Sequence, residues 1–339
     1  MRFKLNKKAG IAVLVGIAVI VLGALLMQVA QKYEFSHSGT EVPSDSQEEN
    51  TGDVYYQGQW YTKRTDLDTV LLMGVDKYEA DTQNTTYEND QQADFLFLVV
   101  FDPQSQTYTP IHLNRDTMTD IKILGVSGTG AGSFEGQLAL AHTFGSGQED
   151  SCINQVDAVS NLLYGVKIDH YIALTMDAVA TLNDLAGGVT LTVRDDFSAV
   201  DDTLKKGETV TLMGKHALTY VRHRMDVADG TNLSRMERQR QYLIALQEQL
   251  TKCEKADPDF AQRAALSIAD YMVSDYSVNQ LQDFSEKMSS YKAKDVQTLP
   301  GEAVMGKEYV EYYVDDAAVQ DMVMQIFYQP VSDTAQVDK

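Results

Sequence analysis

The sequence predicts an α/β fold: a three-layer α-β-α sandwich around a central mixed sheet, preceded by one transmembrane helix. Three observations carry this expectation. Two continuous apolar runs of strand length, 69–75 (TVLLMGV) and 94–101 (DFLFLVVF), have the composition of strands covered on both faces. Stretches of helical and strand spacing then alternate through the middle of the chain, as a layered α/β domain requires. Near the start, positions 9–30 carry no charged residue.

Taken in order, 9–30 extends about 33 Å as a helix, enough to cross a bilayer. Arg2, Lys4, Lys7 and Lys8 precede it, so residues 1–8 are expected in the cytoplasm and the remainder outside the cell membrane. A cleaved signal peptide ranks lower, because the apolar run exceeds a usual h-region and no clear small-x-small site follows. A stalk is expected over 31–66, since 31–53 is rich in Ser, Glu, Asp, Gln and Gly and cannot build a core. Trp60 and the tyrosines around it, Tyr55, Tyr56 and Tyr61, read as packing or wall-contact residues.

One domain is expected over 67–330, with a core at 67–250, C-terminal helices within 258–330 and a tail at 331–339. Beyond the two apolar strands, a third strand is expected at 108–113, helices at 152–163 and 177–185, and strands at 171–175 and 189–193. Further helices are read at 260–272, 278–288 and 316–328, with an extended passage at 301–314. Nothing at 252–257 resembles a domain linker, so the last helices stay with the domain.

The chain holds 28 Lys and Arg against 49 Asp and Glu, a net charge of −21. With the four cations before the apolar run set aside, 24 face 49, a balance of −25, which argues against nucleic acid as a partner. Cys152 and Cys253 are the only thiols. They read equally as one extracellular disulfide or as two separate thiols.

Against this acidic background, 220–242 (YVRHRMDVADGTNLSRMERQRQY) gathers five arginines. Read as extended backbone, Arg222 and Arg224 leave one face roughly 7 Å apart, a spacing suited to two phosphates. Ser234-Arg-Met-Glu237 reads as a capping box opening a helix. On that helix Met236, Leu243, Leu246 and Leu250 form an apolar stripe, with Arg235 and Gln239 within or beside it and Arg238 on the opposite side. Ion pairs with carboxylates would explain any one of these arginines. Arg222, Arg224, Arg235 and Gln239 together point instead to an anion at a helix N-terminus.

Asp76 ends the first apolar strand and Asp94 opens the second, so neighbouring strands would bring both carboxylates to one sheet edge. They read as turn residues, or as a Mg²⁺ site completed by a diphosphate. Arg115 follows the third strand and points at the same edge; Asp116 and Thr117 read as strand-end or turn residues. His142, His216 and His223 match no common ligand spacing.

These segments resemble the LytR-CpsA-Psr family: Gly-Val-Asp76, Asp94 opening a strand, Arg115-Asp-Thr, Gly187-Gly188-Val189, Arg222 with Arg224, Asp229-Gly230 and Arg235-Met-Glu-Arg238-Gln239. The resemblance covers about 67–250. It implies an enzyme, a membrane-anchored phosphotransferase that moves a glycopolymer from a polyprenyl-diphosphate carrier onto peptidoglycan. By position it implies Asp94, Arg115, Arg222 and Arg224 as catalytic residues. It places the diphosphate on Arg115, Arg222, Arg224, Arg235, Gln239 and Asn232, and Mg²⁺ on Asp76 and Asp94. The chain departs from the family pattern at Gln92 and Gln137, where cations are usual, and at the loop aspartate, whose place is taken by Asn232 or, after a one-residue shift, by Asp229. That makes it a divergent member. A second reading, a non-catalytic ectodomain that binds the polyprenyl diphosphate or wall glycan, follows from the same departures.

Overall fold

In a computed structural model, residues 53–76, 91–125, 128–257 and 259–331 are described. The predicted transmembrane segment 9–30 lies outside them. No helix among the described residues is long and apolar enough to cross a membrane.

The chain begins with a hairpin, β1 (Val54–Tyr56) and β2 (Gln59–Lys63), followed by β3 (Asp68–Val75), β4 (Ala93–Asp102) and β5 (Thr107–Leu113). A second hairpin, β6 (Met118–Leu124) and β7 (Gly130–Gln137), leads to α1 (Leu140–Thr143) and α2 (Gln148–Leu162). Then come β8 (His170–Thr175), α3 (Met176–Leu185), β9 (Val189–Thr192), β10 (Thr209–Leu212), α4 (Gly214–Arg222) and α5 (Asn232–Ala256). The last part runs α6 (Phe260–Ile268), a 3-10 turn (Ala269–Tyr271), β11 (Met272–Ser274), α7 (Val278–Ser290), β12 (Lys292–Ala293) and β13 (Gln297–Thr298). It closes with β14 (Gly301–Met305), β15 (Val310–Val314), α8 (Asp316–Phe327) and β16 (Tyr328–Pro330).

The central sheet has the order β11-β8-β3-β4-β5-β12, with β13 also on β5. It is mixed: β3 pairs antiparallel with β4 and parallel with β8, while β4 and β5 are antiparallel. Successive side chains of a strand leave opposite faces. Val70, Leu72, Phe97, Val99 and Phe101 therefore enter one core with α3–α7, and Leu71, Met73, Leu96, Leu98 and Val100 enter the other with α1, α2 and α8. This two-sided burial is why β3 and β4 read as unbroken apolar runs. The extended passage expected over 301–314 is the β14–β15 hairpin, and 189–193 pairs with β10 outside the central sheet.

Of the stalk expected over 31–66, residues 31–52 lie outside the described residues. Residues 54–63 belong to the folded domain, because β2 pairs with both β1 and the C-terminal β16. Arg64 ties this end down, its guanidinium donating to Asp66 at 2.7 Å and to Asp102 at 2.9 and 3.0 Å. That pairing holds both carboxyls below their ordinary range. A carboxyl whose folded pKa is depressed stabilises the fold above its unfolded value, about 3.9, and loses that contribution as pH falls below it. Thermal melts between about pH 4 and 2 should therefore show a steep fall in stability, shallower in Asp102→Asn. Parallel curves would mean the clamp contributes nothing.

Candidate active site at one edge of the central sheet

Strand register gathers the site. Val75 opposes both Ala93 and Thr175, and Leu113 opposes Leu96, so the ends of β3, β5 and β8 and the start of β4 share one edge. Asp76, Asp94 and Arg115 come together there, and Asp76 N donates to Gln92 O at 3.1 Å. Gly74 permits this close packing, because a Cβ at that position would lie 2.9 Å from Phe95 Cβ. Arg115 donates through Nη1 to Asp94 Oδ1 and through Nη2 to Gln92 Oε1.

The other arginines arrive from across the domain. Arg222 and Arg224 do not lie on an extended segment: α4 runs through Arg222, and only at His223 does the backbone open (φ −63°, ψ 134°). Ala217, Tyr220 and Val221 are buried at helical spacing, and that burial overrides any strand-like reading of the arginine pair. The helix end aims Arg222 Nη2 at Asp76 Oδ1, 2.6 Å away. The turn beyond it aims Arg224 Nη1 at Asp116 Oδ2, 2.7 Å away.

The next helix starts earlier than the Ser234 capping box implies. Thr231 is the N-cap of α5, accepting from Ser234 N, and Glu237 pairs instead with Arg194 and Arg240. Asp229 Oδ1 accepts from Thr231 N, Thr231 Oγ1 and Ser234 Oγ, which fixes the loop before the helix. Asn232 orients Arg235 by accepting from its Nε at 2.9 Å and Nη2 at 2.6 Å, and itself donates to Asn114 Oδ1 at 2.6 Å. Arg235 Nη1 then lies 3.6 Å from Asp94 Oδ1.

Asp116, expected to be a turn residue, is buried at the centre of this network, where it accepts from Arg224 and from Gln137 Nε2 at 3.2 Å. Gln137, at a position where a cation was expected, also donates to Val310 O at 2.7 Å. Four guanidiniums thus meet three carboxylates, Asp76, Asp94 and Asp116, at the edge. Burial, with Arg235 close by, lowers the Arg115 pKa to about 9; burial, with Arg224 close by, lowers that of Arg235 to about 10. An arginine keeps its proton under such conditions, so the edge buries positive charge, with four guanidiniums against three carboxylates. Among the described residues, Thr117 Oγ1, Thr175 Oγ1 and Gln239 Oε1 are buried without a hydrogen-bond partner, and Arg115 Nε has none beyond an ion-pair contact with Asp116 Oδ1 at 3.5 Å. Cations without enough anions, and an N–H and hydroxyls without acceptors, are what an anionic ligand would satisfy.

Behind the arginines lies an apolar cavity of about 150 Å³ between the sheet and helices α3 and α5. Leu72, Phe95, Leu174, Leu182, Leu243 and Leu246 are among the residues that line it, with Gln239 as its polar member. Gln239 Nε2 donates to Val221 O at 3.3 Å, at the boundary between charge and grease. Arg238 does not point away to solvent. It is fully buried, donating to Asp195 Oδ2 at 3.0 Å and to the carbonyls of Tyr220 and His223, because α5 is covered on more than the side carrying its apolar stripe. Arg238→Met strands Asp195 and frees the Tyr220 and His223 carbonyls, so a stability loss of roughly 3–5 kcal/mol is expected in denaturant titration. A loss below about 1 kcal/mol would show that the pair is not structural.

The donor chemistry of Asp76 and Asp94 suits Mg²⁺, a hard cation that takes carboxylate oxygen. Among the described residues no three His, Cys, Asp or Glu gather for a metal, so diphosphate oxygens would have to complete its shell. His142 is buried with Nδ1 on Gln91 O, and burial lowers its pKa to about 4, which fits a neutral packing role. His216 lies 3.4 Å from Asp201, and His223 lies between the two paired arginines with its side chain exposed. Cys152 and Cys253 are free thiols, which removes the disulfide alternative.

The LytR_cpsA_psr family model matches residues 27–327. A polyisoprenyl-teichoic acid–peptidoglycan teichoic acid transferase TagU from Bacillus licheniformis is 31% identical over 175 residues, 52% of this chain and 49% of the relative. The chain spans about half the length of the curated relatives it matches. Among solved structures, Bacillus subtilis TagV superposes with a TM-score of 0.53 at 22% identity, covering 77% of this chain and 97% of that one. Protein gbs0355 from Streptococcus agalactiae superposes with a TM-score of 0.58 at 19% identity, covering 77% and 88%. At these identities the superpositions speak for the mixed α/β fold.

Proposed function

From the premise that this chain belongs to the LytR-CpsA-Psr family, we propose a membrane-anchored phosphotransferase that moves a glycopolymer from a polyprenyl-diphosphate carrier onto peptidoglycan. The observation that carries this reading is the junction of two environments: an edge with more guanidiniums than carboxylates, opening beside an apolar cavity. A diphosphate with a lipid tail has the same two halves. TagU, a relative, is named for transfer of teichoic acid between a polyisoprenyl carrier and peptidoglycan, which supports the same class of donor and acceptor here. The segment 9–30 would hold the domain at the outer face of the membrane, where such a lipid is presented.

Arg115, Arg224 and Arg235 grip the diphosphate, and Arg222, whose side chain is the most exposed of the four, meets it at the rim. An acceptor hydroxyl forms a bond to the phosphorus nearer the glycan. The bond from that phosphorus to the bridging oxygen breaks, polyprenyl monophosphate departs, and the hydroxyl proton passes to solvent. A loose phosphoryl transition state asks mainly for positioning and charge neutralisation, which arginines supply. Asp94 orients Arg115 and Arg235, while Asp116 holds Arg224. Mg²⁺, held by Asp76 and Asp94, would offset further phosphate charge.

A second reading, a module that binds the lipid-linked glycan without turning it over, is favoured by Gln92 and Gln137 standing where cations are usual. Turnover separates the two. The full chain in detergent, given a polyprenyl-diphosphate oligosaccharide, Mg²⁺ and peptidoglycan, should release lipid monophosphate together with acceptor-linked glycan. Chelation should lower the rate by about 10-fold or more. Tight lipid binding with no bond broken on several acceptors would favour the binding module.

A further inference from the structure

The β14–β15 hairpin is the least buried structured element near the site, and the functional reading so far leaves it without a role. All five residues of β14 are exposed. So are Tyr309 and Tyr313, at 41% and 45%, and Met305 at 73%. Register puts Glu302 opposite Tyr313 and Val304 opposite Glu311, so these four side chains share one face, while Tyr312 turns inward and donates its hydroxyl to Leu299 O. Tyr313 Oη donates to Glu311 Oε2 at 2.8 Å. Gly306 makes room for that carboxylate, since a Cβ there would lie 2.3 Å from Glu311 Oε1.

The hairpin that carries this face is tied to the arginine edge through the backbone of β15. Tyr312 N donates to Asp116 O at 2.9 Å, Thr117 bridges to Tyr312, and Gln137 holds Val310 O and Asp116 Oδ1 at once. Tyr309 is therefore one residue from the carbonyl that shares Gln137 with Asp116, the counter-ion of Arg224. Half-exposed tyrosines interleaved with carboxylates suit a pyranose chain: the rings take its C–H faces and the carboxylates its hydroxyls. The same carboxylates oppose an anionic lipid surface.

Resting on the transferase reading above, we propose that the β14–β15 hairpin, through Tyr309, Glu311 and Tyr313, is the platform that seats the acceptor glycan and presents its hydroxyl to the diphosphate edge.

The test uses the full chain, wild type and Tyr309→Ala/Tyr313→Ala, with a soluble β-1,4-linked N-acetylhexosamine oligosaccharide and, separately, the lipid-linked donor. Oligosaccharide affinity should fall about 10-fold or more and acceptor KM should rise equally, with kcat at saturation and donor affinity held within about 2-fold. The Phe pair, Tyr309→Phe/Tyr313→Phe, keeps the rings and should retain most of the affinity, which separates stacking from loss of fold. Unchanged oligosaccharide affinity in the Ala pair overturns the proposal. So does an equal loss of donor affinity, or a loss confined to binding of vesicles of phosphatidylglycerol. Platform-dependent glycan binding without donor cleavage would keep the platform and remove the transferase reading.

Discussion

Replacing Arg224 with alanine is expected to lower kcat/KM for glycan transfer about 10³-fold, the scale of losing one charge-stabilising donor or arginine at a phosphoryl centre. Two effects combine. The diphosphate loses a guanidinium, and Asp116, 1% exposed, loses its 2.7 Å counter-ion, so the edge both weakens and reorganises. Breaking a buried pair on one side costs roughly 3–5 kcal/mol, so melts of the variant must accompany its kinetics. Arg224→Lys keeps charge without the planar fork and should recover stability more fully than rate. If the folded alanine variant transfers within a few-fold of wild type, Arg224 belongs to the scaffold and the diphosphate lies elsewhere.

The second large effect is expected from closing the cavity. Leu246→Trp adds ring volume into a space of about 150 Å³ that is already apolar, so the fold should tolerate it at a cost below about 2 kcal/mol. Turnover of a long-chain polyprenyl donor should nevertheless fall by more than about 10-fold, because the first isoprene units lose their seat. A water-soluble short-chain diphosphate should react at nearly the wild-type rate. Equal loss on both donors would indicate that the larger side chain of Leu246→Trp disturbs Gln239 and Tyr242 rather than the lipid path.

Much of the fold was legible because burial writes itself into composition. β3 and β4 are covered on both faces, and their apolar runs ended within a residue or two of the observed strands. The β6–β7 hairpin left no such trace: β7 is Gly-Ala-Gly-Ser-Phe-Glu-Gly-Gln and mostly exposed, so no alternation marks it. The helix carrying Arg222 ends on a charged turn whose alternating arginines look like a strand face, although Ala217, Tyr220 and Val221 have helical spacing. The burial of Arg238 was not legible because a helical wheel assigns one inward side, and α5 is buried on more than one.

The candidate site was legible wherever charge stood against context. Arginines in an acidic chain, and aspartates at the ends of apolar strands, are visible from residue type alone. Asp116 was not, since its meaning depends on Arg224, 108 residues away. Asn232 showed as a departure from a motif, yet its work, holding Arg235 from two nitrogens and reaching Asn114, needed three dimensions. The hairpin around Tyr309 and Tyr313 read only as an extended passage.

The most direct measurement is the mass of the lipid product when the full chain is given polyprenyl-diphosphate oligosaccharide, Mg²⁺ and peptidoglycan. Attack at the phosphorus nearer the glycan yields polyprenyl monophosphate and an acceptor that has gained both glycan and phosphate. Release of polyprenyl diphosphate, with an acceptor that has gained sugar alone, would place the broken bond at the sugar carbon and contradict the phosphotransfer account.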